Sequence, residues 1–423
     1  MRILYLPAYF MPESVASSYL GESRNQAFSD AGFETIAYAP TPCRGISKEE
    51  RQKYCSKQYR REMLYDGRMT LHRFSLYAEG KNPVLRTLRY ALCWIKQFNR
   101  GLFAKNIDMI YLASTPPIQG MLGAFLHKLK SVPFVYNLQD IFPDSLVGTG
   151  LAKKGGLLWK IGRVIENFTY RNADKIIVIS EDFKKNIMAK GVPEDKIVVI
   201  YNWVDEEAVT DIPRKENKLF DKYGLDRNKF YITYSGNIGL TQNMDMLLEV
   251  MKELQTEAPD IHLILIGDGA YKDAVVKMIA GQAGEDGAVR GTMLPNVTML
   301  PFQPYEDISH VFSLGDAGLV ISKPGVGANS VPSKTWSIMS ASRPVLASFD
   351  ENELKDIIAD HHCGIFTKAG DKEAFKASIL ELYHHPGLGP ELGRNGRQFV
   401  LDNLTKEVGT KKYVDVIKAF EKK

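Results

Sequence analysis

The tetrapeptide VPSK, Val331 to Lys334, places a lysine at the mouth of a short apolar segment, downstream of a loop containing Gly325 and Gly327. The two glycines lack side chains, so backbone amides there can approach a ligand closely. Ser333 is a residue type that caps helices, which predicts that a helix begins here. A cation in the first turn opposes the helix dipole unless an anion lies between them, so this motif indicates a bound anion. A solvated lysine is the alternative interpretation.

A glycine-rich turn, Tyr234 to Asn243 (YSGNIGLTQN), follows an apolar run. A strand, such a turn and a helix in succession present free backbone N–H groups, which favour a phosphate. An ordinary turn is the competing interpretation. Two more loops, IGDG (266–269) and LPFQPYEDI (300–308), are expected at the same edge of a sheet. Their backbone could contact a nucleobase and a ribose, although either could be an ordinary turn.

Three carboxylates lie near predicted strand ends in the first half of the chain: Glu13, Asp140 and Asp144. Each could act as a base or accept a hydrogen bond from a sugar hydroxyl. Asp140 ranks first, because Asp144 equally suits a helix cap and Glu13 a solvated loop.

Strand-like and helix-like segments alternate along the chain, which predicts parallel sheets covered on both faces. The pattern pauses at a polar stretch, residues 206–218, interpreted as a linker, and then restarts. The 423 residues therefore predict an N-terminal α/β domain over 1–205 and a second over 206–400. A C-terminal helix over 401–423 is expected to return to the first domain.

The charge is unevenly distributed along the chain. Residues 1–205 carry 29 Lys and Arg against 19 Asp and Glu, whereas the remainder carries 25 against 31. The stretches 80–107 and 153–165 interleave basic with apolar residues and include tryptophans, a pattern typical of helices that contact an anionic bilayer. An ordinary amphipathic helix of the domain is the alternative. No nucleic-acid partner is expected.

Other features limit the function. Four scattered cysteines, without a C-x-x-C pair, predict neither zinc nor disulfides, and His361, His362 and Cys363 are interpreted as an incidental grouping. No Asp-x-Asp sequence is present to hold a metal on a diphosphate. No signal peptide and no membrane-spanning helix are expected.

Taken together, these segments resemble glycosyltransferase family 4, whose members are retaining enzymes of the GT-B fold. The resemblance spans nearly the whole chain and rests on YLPAYFMPE, LQDIFPDS, NADKIIVISEDFKKNIMAKGVPEDKIVVIYNWVD, YSGNIG, LILIGDG, NVTMLPFQPYEDI and VPSKTWSIMSASRPVLAS, in that order. Within the family the chain resembles the bacterial N-acetyl-L-fucosamine transferase subgroup. The implied fold is α/β, with two Rossmann-like parallel-sheet domains facing an interdomain cleft.

The resemblance also implies roles for individual residues. Lys334 would reach the donor diphosphate as the main catalytic group, with Asp140 or Glu13 positioning sugar hydroxyls. The donor nucleotide-sugar would be bound by Gly236, Asn237, Gly239, Gln242, Gly267, Asp268, Gly269, Phe302, Gly327, Asn329, Ser330, Ser333 and Ser337. No metal and no cofactor beyond the UDP-sugar substrate are expected.

Two departures from the family pattern stand out. Many members carry two glutamates eight positions apart, and Asn329 and Ser337 occupy those positions here. A basic pair usually follows the glycine-rich turn, where this chain has Leu240 and Gln242. A serine hydroxyl can still bond a ribose hydroxyl, but more weakly than a charged acceptor can.

The expected function is transfer of an N-acetylated amino or deoxyamino sugar from a UDP-sugar to a polyprenyl-diphosphate-linked saccharide, in synthesis of bacterial O-antigen or capsule. The expected location is cytoplasmic, peripheral on the inner face of the cell membrane. Two alternatives remain: a nucleotide-sugar epimerase of GT-B fold, and a catalytically degenerate nucleotide-sugar binder. An oxidoreductase fits poorly, because no G-x-G-x-x-G follows the first strand.

Overall fold

The computed structural model describes residues 1–13, 18–80, 82–148, 153–327 and 331–421. It divides into two compact units, Met1–Tyr201 with Gly409–Lys423, and Asn202–Val408. The sequence had placed the boundaries at 205 and 400.

The first unit is built on an eight-stranded sheet in the order β3-β4-β2-β1-β5-β6-β7-β8. The strands are β1 Arg2–Tyr5, β2 Glu34–Pro40, β3 Arg61–Leu64, β4 Met69–Phe74, β5 Met109–Ala113, β6 Phe134–Leu138, β7 Lys175–Val178 and β8 Ile197–Val199. All pair in parallel except β3, which runs antiparallel to β4. Strand β6 is buried along its whole length, as expected of a central parallel strand with helices on both faces.

The α-helices of the described residues between Met1 and Tyr201 cover this sheet. They are α1 Ser18–Asp30, α2 Lys48–Tyr54, α3 Pro83–Phe103, α4 Gln119–Lys130, α5 Asp144–Gly148, α6 Leu157–Asn172 and α7 Glu181–Ala189. Helix α3 begins at a proline, and the side chain of Asn82 caps it by accepting from the amides of Val84 and Leu85. Helices α3, α4 and α6 are neighbours, with α4 in the middle.

The second unit repeats the architecture, with the strand order β11-β12-β13-β10-β9-β14-β15-β16. The strands are β9 Phe230–Ser235, β10 Ile261–Ile266, β11 Gly281–Ala283, β12 Val289–Gly291, β13 Val297–Leu300, β14 Ala317–Ile321, β15 Val345–Phe349 and β16 Gly364–Lys368. The helices are α8 Lys218–Lys222, α9 Met244–Glu257, α10 Lys272–Met278, α11 Ile308–Phe312, α12 Lys334–Ser340, α13 Glu353–His361, α14 Lys372–His384 and α15 Leu388–Asn403. A last helix, α16 Lys406–Lys418, belongs to the first unit from Gly409 onward.

The α/β class and the two parallel-dominated sheets confirm the predicted fold. The sheets are not wholly parallel, however. Strand β3, at an edge of the first sheet, pairs antiparallel with β4, and at an edge of the second sheet β12 pairs antiparallel with both β11 and β13. The stretch 206–218, predicted as a linker, is also held by hydrogen bonds to other parts of the chain. The backbone amides of Thr210 and Ile212 donate hydrogen bonds to the hydroxyls of Ser309 and Ser313, so the polar stretch is packed within the second unit.

None of the helices in the described part of the chain combines the length and the hydropathy of a bilayer span.

Candidate functional site

The predicted donor residues collect at one edge of the second sheet. Strands β13, β10, β9, β14 and β15 are neighbours in that order, so the loops at their carboxyl ends share an edge. In open parallel sheets, ligands bind beyond this edge. The structure therefore brings together the loops after β9, β10, β13 and β14 that the sequence had singled out.

Close backbone packing joins the loops after β9 and β10. The amide of Ile238 donates to the carbonyl of Asp268 at 2.8 Å, and the amide of Tyr271 donates to the carbonyl of Ile238 at 2.9 Å. A Cβ on Gly267 would lie 1.9 Å from the carbonyl oxygen of Gly236, and one on Gly269 would lie 2.3 Å from that of Ile238. These glycines are thus needed for contact between two backbones, which fixes the shape of the predicted phosphate-binding surface.

The turn after β9 is held by its own side chains. The Gln242 Oε1 accepts from the amide of Gly239 at 3.0 Å, and the Tyr234 hydroxyl donates to the carbonyl of Asn237 at 2.6 Å. Asn237 itself is exposed. Gln242, predicted as a donor contact, therefore already uses its carbonyl oxygen to shape the turn, and its amide nitrogen is the part left for a ligand.

Lys334 is the first residue of α12 and lies against the strand β9 residue Tyr234. Its Nζ is 3.6 Å from the centre of the Tyr234 ring, a cation–π contact. A Cβ on Gly236 would lie 3.0 Å from the same nitrogen, so the ammonium borders the glycine-rich turn. The residue remains partly accessible to solvent. Nevertheless the surrounding protein desolvates its charged end, and this lowers the pKa of Lys334 to about 7.

No carboxylate of a described residue lies within ion-pair distance of the Lys334 ammonium. A desolvated cation with only an aromatic ring beside it is incompletely compensated. An anion placed at this edge would supply the missing charge and would raise the pKa of the amine. The arrangement can therefore bind a phosphate and can stabilise negative charge that develops on it.

The loop after β14 is anchored by the strand beside it, which the sequence did not suggest. The carboxylate of Asp350 accepts from the amides of Gly325 and Gly327 at 2.9 and 2.8 Å, and the Asn352 amide donates to the carbonyl of Gly327 at 3.0 Å. Asp350 and Asn352 both follow β15, so these polar residues at the end of a strand were the signal that could have indicated the anchor. Tyr234 was also missed, because inside a strand it looks like ordinary core.

The predicted helix cap in this loop was wrong, while the donor role of Gly327 stays a prediction. A Cβ at Gly327 would lie 2.4 Å from the ring of Phe349, and both of its backbone polar groups are bonded within the protein. Ser333 does not cap α12, since its backbone is already helical and its exposed side chain makes no capping bond. Gly325 does have the positive φ, of 81°, and the open surroundings that close approach requires.

The remaining predicted donor residues differ in accessibility. Phe302 is 81% exposed, whereas its neighbour Gln303 is buried and bonded to Tyr223 and Lys222, which holds the loop in place. Asp268 is exposed, and its Oδ1 accepts from the amide of Gly269. Ser337 is partly exposed on α12. Asn329 and Ser330 lie outside the described residues.

Glu13 in the first unit is 3% exposed and has both carboxylate oxygens occupied. One oxygen accepts from the amide of Phe10, and the other accepts from the amides of Cys43 and Arg44, at 2.8 to 3.0 Å. The solvated loop considered for this residue is therefore wrong. The carboxylate holds two loops together, which leaves it poorly placed to act as a base.

Asp140 is exposed and accepts a hydrogen bond from Ser145 at 3.2 Å. Desolvation by the surrounding protein outweighs this bond and raises the pKa of Asp140. Desolvation also acts on Asp144, but the hydrogen bond and charge of Lys190, 2.6 Å away, prevail and lower its pKa. Asp140 thus keeps the proton affinity and the access that a base or hydroxyl acceptor needs, while Asp144 is committed to an ion pair.

Among the described residues, no three His, Cys, Asp or Glu side chains are grouped to hold a metal ion. All four cysteines are free thiols. The ring of His361 packs on Phe399 at 4.5 Å, and Cys363 is buried in the core.

Comparisons with known proteins relate both units to glycosyltransferases. Residues 26–208 match the family described as Glycosyltransferase Family 4, and residues 215–399 match Glycosyl transferases group 1. The probable glycosyltransferase WbjE of Pseudomonas aeruginosa is 26% identical over 280 residues, which cover 66% of this chain and 67% of the relative. The putative colanic acid biosynthesis glycosyl transferase WcaI of Escherichia coli (strain K12) is 27% identical over 300 residues, 68% and 69% of the two chains.

Solved structures show the same fold across the whole chain. Anabaena Alr3699/HepE, crystallised in complex with UDP and glucose, aligns with a TM-score of 0.69 at 16% identity, covering 99% of this chain and 100% of that one. WaaG, a glycosyltransferase involved in lipopolysaccharide biosynthesis, aligns with a TM-score of 0.64 at 13% identity, covering 98% and 99%. The fold of the present protein is GT-B.

Proposed function

We propose that this chain, a glycosyltransferase with a family 4-type domain followed by a group 1-type domain, transfers a sugar from a UDP-sugar to a lipid-linked saccharide. The proposal includes retention of anomeric configuration and a role in bacterial surface-polysaccharide synthesis. Support comes from WcaI, whose name refers to colanic acid biosynthesis, and from HepE, which was crystallised with UDP and glucose. An N-acetylated amino or deoxyamino sugar is the proposed donor group.

One observation carries the proposal: the partly accessible Lys334 ammonium lies beside the glycine-rich turn with no carboxylate of a described residue to balance it. A UDP diphosphate bound beyond the edge of the sheet would supply the negative charge that pairs with this ammonium. The exposed Phe302 ring is proposed to stack on the nucleobase, and Asp268 and Ser337 to contact the ribose.

The proposed reaction is a front-face displacement. The bond between the anomeric carbon and the phosphate oxygen breaks, and the acceptor hydroxyl oxygen forms a new bond to the same face of that carbon. The departing phosphate oxygen takes the hydroxyl proton. Lys334 and the backbone amides of the glycine-rich turn stabilise the negative charge on the leaving UDP, which is the largest contribution expected in such a site. Asp140 is proposed to orient acceptor hydroxyls.

A bilayer is proposed as the surface from which the lipid-linked acceptor is taken. Helices α3, α4 and α6 are neighbours in the first unit, and each exposes large apolar side chains. These are Val84, Leu85, Leu88, Ile95 and Phe103 on α3, Phe125 and Leu129 on α4, and Leu157, Leu158, Ile161 and Val164 on α6. The only acid on these three helices is Glu166, which is buried, while Lys96, Lys128 and Lys160 are exposed. Apolar residues among unopposed cations suit an anionic lipid surface.

Release of UDP tests the enzymatic proposal directly. The purified protein is incubated with UDP-N-acetylglucosamine and related UDP-sugars, with and without an extract of polyprenyl-linked saccharides. Release of UDP only when the acceptor is present is the expected result. Isomerisation of the donor alone would instead identify an epimerase, and tight donor binding without turnover would identify a degenerate binder.

A further inference from the structure

An open cavity of about 680 Å³ lies in the second unit, at the edge of the sheet opposite the candidate donor site. It is found where parallel strands begin. Phe230 is the first residue of β9, while Asp260, Asp316 and Pro344 immediately precede β10, β14 and β15. The end of α14, the start of α15 and part of the stretch 206–218 complete the walls. The volume lies within the range of about 300–1,000 Å³ that small-molecule sites occupy, and none of the residues assigned to the donor lines it.

Two arginines fix the walls of this cavity. The Arg343 guanidinium donates to the carbonyls of Gly315 and Ser313 at 2.8 and 3.2 Å. The Nη1 of Arg214 donates to two carbonyls of the segment before β9, at 2.7 and 2.9 Å. Each guanidinium thus joins segments that are separated in sequence. The cavity is therefore preformed, and a ligand would not have to open it.

Three acid–base pairs line the cavity and largely neutralise one another. The pairs are Arg214 with Asp316, Arg343 with Asp211, and Lys229 with Asp260, at 2.5 to 2.9 Å. The side chains of Asp316, Asp211 and Asp260 are nevertheless 34%, 49% and 53% exposed. Both hydrogen bonds that Asp316 accepts from described residues go to Oδ2, which leaves Oδ1 unused. Carboxylate oxygens of this kind can accept hydrogen bonds from the hydroxyl groups of a ligand.

Arg394 adds a cation that these pairs do not neutralise. It lies on α15, its side chain is exposed, and no carboxylate of a described residue lies in ion-pair range of it. With Arg394 the lining holds four cations, the others being those of the three pairs, against three acids. A guanidinium group pairs with a carboxylate through two parallel hydrogen bonds. The lining therefore favours a ligand that carries many hydroxyls and one negative charge.

Tyr383 supplies an aromatic surface on the same cavity. Its ring packs edge-on against that of Phe230, with 5.7 Å between the ring centres, and it remains partly exposed. Pro213, Pro386 and Pro390 add apolar surface that carries no backbone donor. An apolar wall beside hydroxyl acceptors suits a sugar ring, because such a ring has C–H groups on its faces and hydroxyls around its rim.

We infer that this cavity is a second ligand site, and that it binds a saccharide unit with a single carboxylate, a hexuronic acid. Arg394 takes the carboxylate, the three exposed aspartates accept the ring hydroxyls, and Tyr383 contacts one face of the sugar. A nucleoside diphosphate fits less well, because it would bring several negative charges to three carboxylates and one unpaired cation. The site is separate from the donor site, so both ligands can be bound at once.

Glucuronic acid is the probe, and glucose and acetate are its matched partial ligands. Glucose keeps the ring without the carboxylate, and acetate keeps the carboxylate without the ring. Dissociation constants for the full-length protein are measured by ligand-observed NMR titration, with and without saturating UDP. The variants are Arg394→Ala, Arg394→Lys and Tyr383→Ala. Lys277→Ala, which removes an exposed cation of α10 in the same unit, is the control.

Glucuronic acid is expected to bind about tenfold more tightly than either glucose or acetate, because only glucuronic acid uses both Arg394 and the aspartates. Arg394→Ala should abolish its advantage over glucose, Arg394→Lys should keep part of it, and Lys277→Ala should keep all of it. Tyr383→Ala should weaken glucuronic acid and glucose alike, with an unchanged affinity for UDP showing that the variant is folded.

Three results would overturn the assignment. They are undetectable binding of glucuronic acid, displacement of glucuronic acid by UDP, and equal affinities of Arg394→Ala and the unsubstituted protein for glucuronic acid. None of them would bear on the proposed sugar transfer, which is tested separately by UDP release.

Discussion

At the scale of single residues, the decisive feature is a cation that no carboxylate of the described residues neutralises. The Lys334 ammonium contacts the Tyr234 ring and borders Gly236, and desolvation lowers its pKa to about 7 from the ordinary 10.5. The VPSK motif predicted that Lys334 binds an anion. It could not predict the aromatic partner, because Tyr234 is 100 residues upstream in a strand whose composition indicates only a core.

Replacing Lys334 should separate catalysis from stability. Lys334→Ala is expected to lower kcat by about 10²-fold or more, because a preorganised charge on the leaving phosphate is lost. Lys334→Met should at the same time raise the free energy of unfolding at pH 7 by roughly 1–3 kcal/mol, since the desolvated charge is gone. Steady-state kinetics and urea denaturation measure the two effects. Near-normal turnover in Lys334→Ala would remove this residue from the mechanism.

The pH dependence of stability has a defined sign. Between about pH 7 and 10.5 the unfolded chain binds the Lys334 proton and the folded chain does not, so stability should rise with pH across this window. Lys334→Met should lack that part of the rise. Denaturation curves at pH 7 and pH 9 for both proteins provide the comparison, and parallel behaviour would show that the amine titrates normally.

UDP binding should also take up protons. At pH 8 the free amine is mostly neutral, and a diphosphate beside it raises its pKa, so binding charges it. Affinity should accordingly fall as pH rises above 7. Calorimetry in two buffers of different ionisation enthalpy measures the uptake, and Lys334→Arg, which stays charged, should abolish it. Equal uptake by the arginine variant would assign the proton to another group.

At the scale of elements, the candidate site is made of loops that brace one another. The turn after β9 packs backbone to backbone against the loop after β10, and the loop after β14 is held by Asp350 and Asn352 beyond β15. The order of strands and helices could be predicted from alternating apolar runs. The β3–β4 hairpin was missed, although the Asp66–Gly67 pair between its strands is a turn signal. The Asp350 contact joins positions 25 residues apart, which no local pattern reveals.

Gly267 tests the contact between the first two loops. Gly267→Ala is expected to lower the free energy of unfolding by about 3 kcal/mol or more and to weaken UDP binding, because its Cβ would lie 1.9 Å from a carbonyl oxygen. Gly32→Ala is the control, since Gly32 also has a positive φ but has open space around it, and should cost only ~1–2 kcal/mol. Equal thermal shifts for the two variants would show that the loops can separate at little cost.

Asp350 tests the anchoring of the loop that precedes Lys334. Asp350→Ala should raise the KM for the UDP-sugar by about tenfold with a smaller change in kcat, because two amide hydrogen bonds are lost from the loop and not from the reacting groups. Asp350→Asn keeps one acceptor oxygen, so its KM should lie between those of Asp350→Ala and the unsubstituted protein. Donor kinetics measure the split, and a loss confined to kcat would contradict a positioning role.

At the scale of the whole molecule, charge and exposed apolar surface coincide in the first unit. The excess of Lys and Arg over residues 1–205 could be counted from the sequence, and two of the basic amphipathic stretches were recognised there. The contribution of α4 could not be predicted from the sequence. Its exposed Phe125 and Leu129 become part of one surface only when α3 and α6 pack on either side of α4.

That surface predicts a lipid dependence. The protein is expected to float with vesicles that contain phosphatidylglycerol and not with vesicles of phosphatidylcholine alone. Replacement of Leu157, Ile161 and Val164 by serine should reduce flotation severalfold, because these apolar side chains are at least half exposed. Serine replacement of the exposed Met293 and Leu401 in the second unit serves as the control. Flotation indifferent to anionic lipid would rule out the proposed surface.

Helix α16 starts at Lys406, among residues grouped with the second sheet, yet from Gly409 onward it completes the interior of the first. Tyr413 is buried there, where its hydroxyl donates to Asn137 and its ring meets Tyr111, and Ile417 is buried beyond it. A gene fragment that stops at residue 201 would thus encode an incomplete body. To obtain the first unit as an autonomous polypeptide, one would need a permuted chain that joins residues 409–423 directly to residues 1–201.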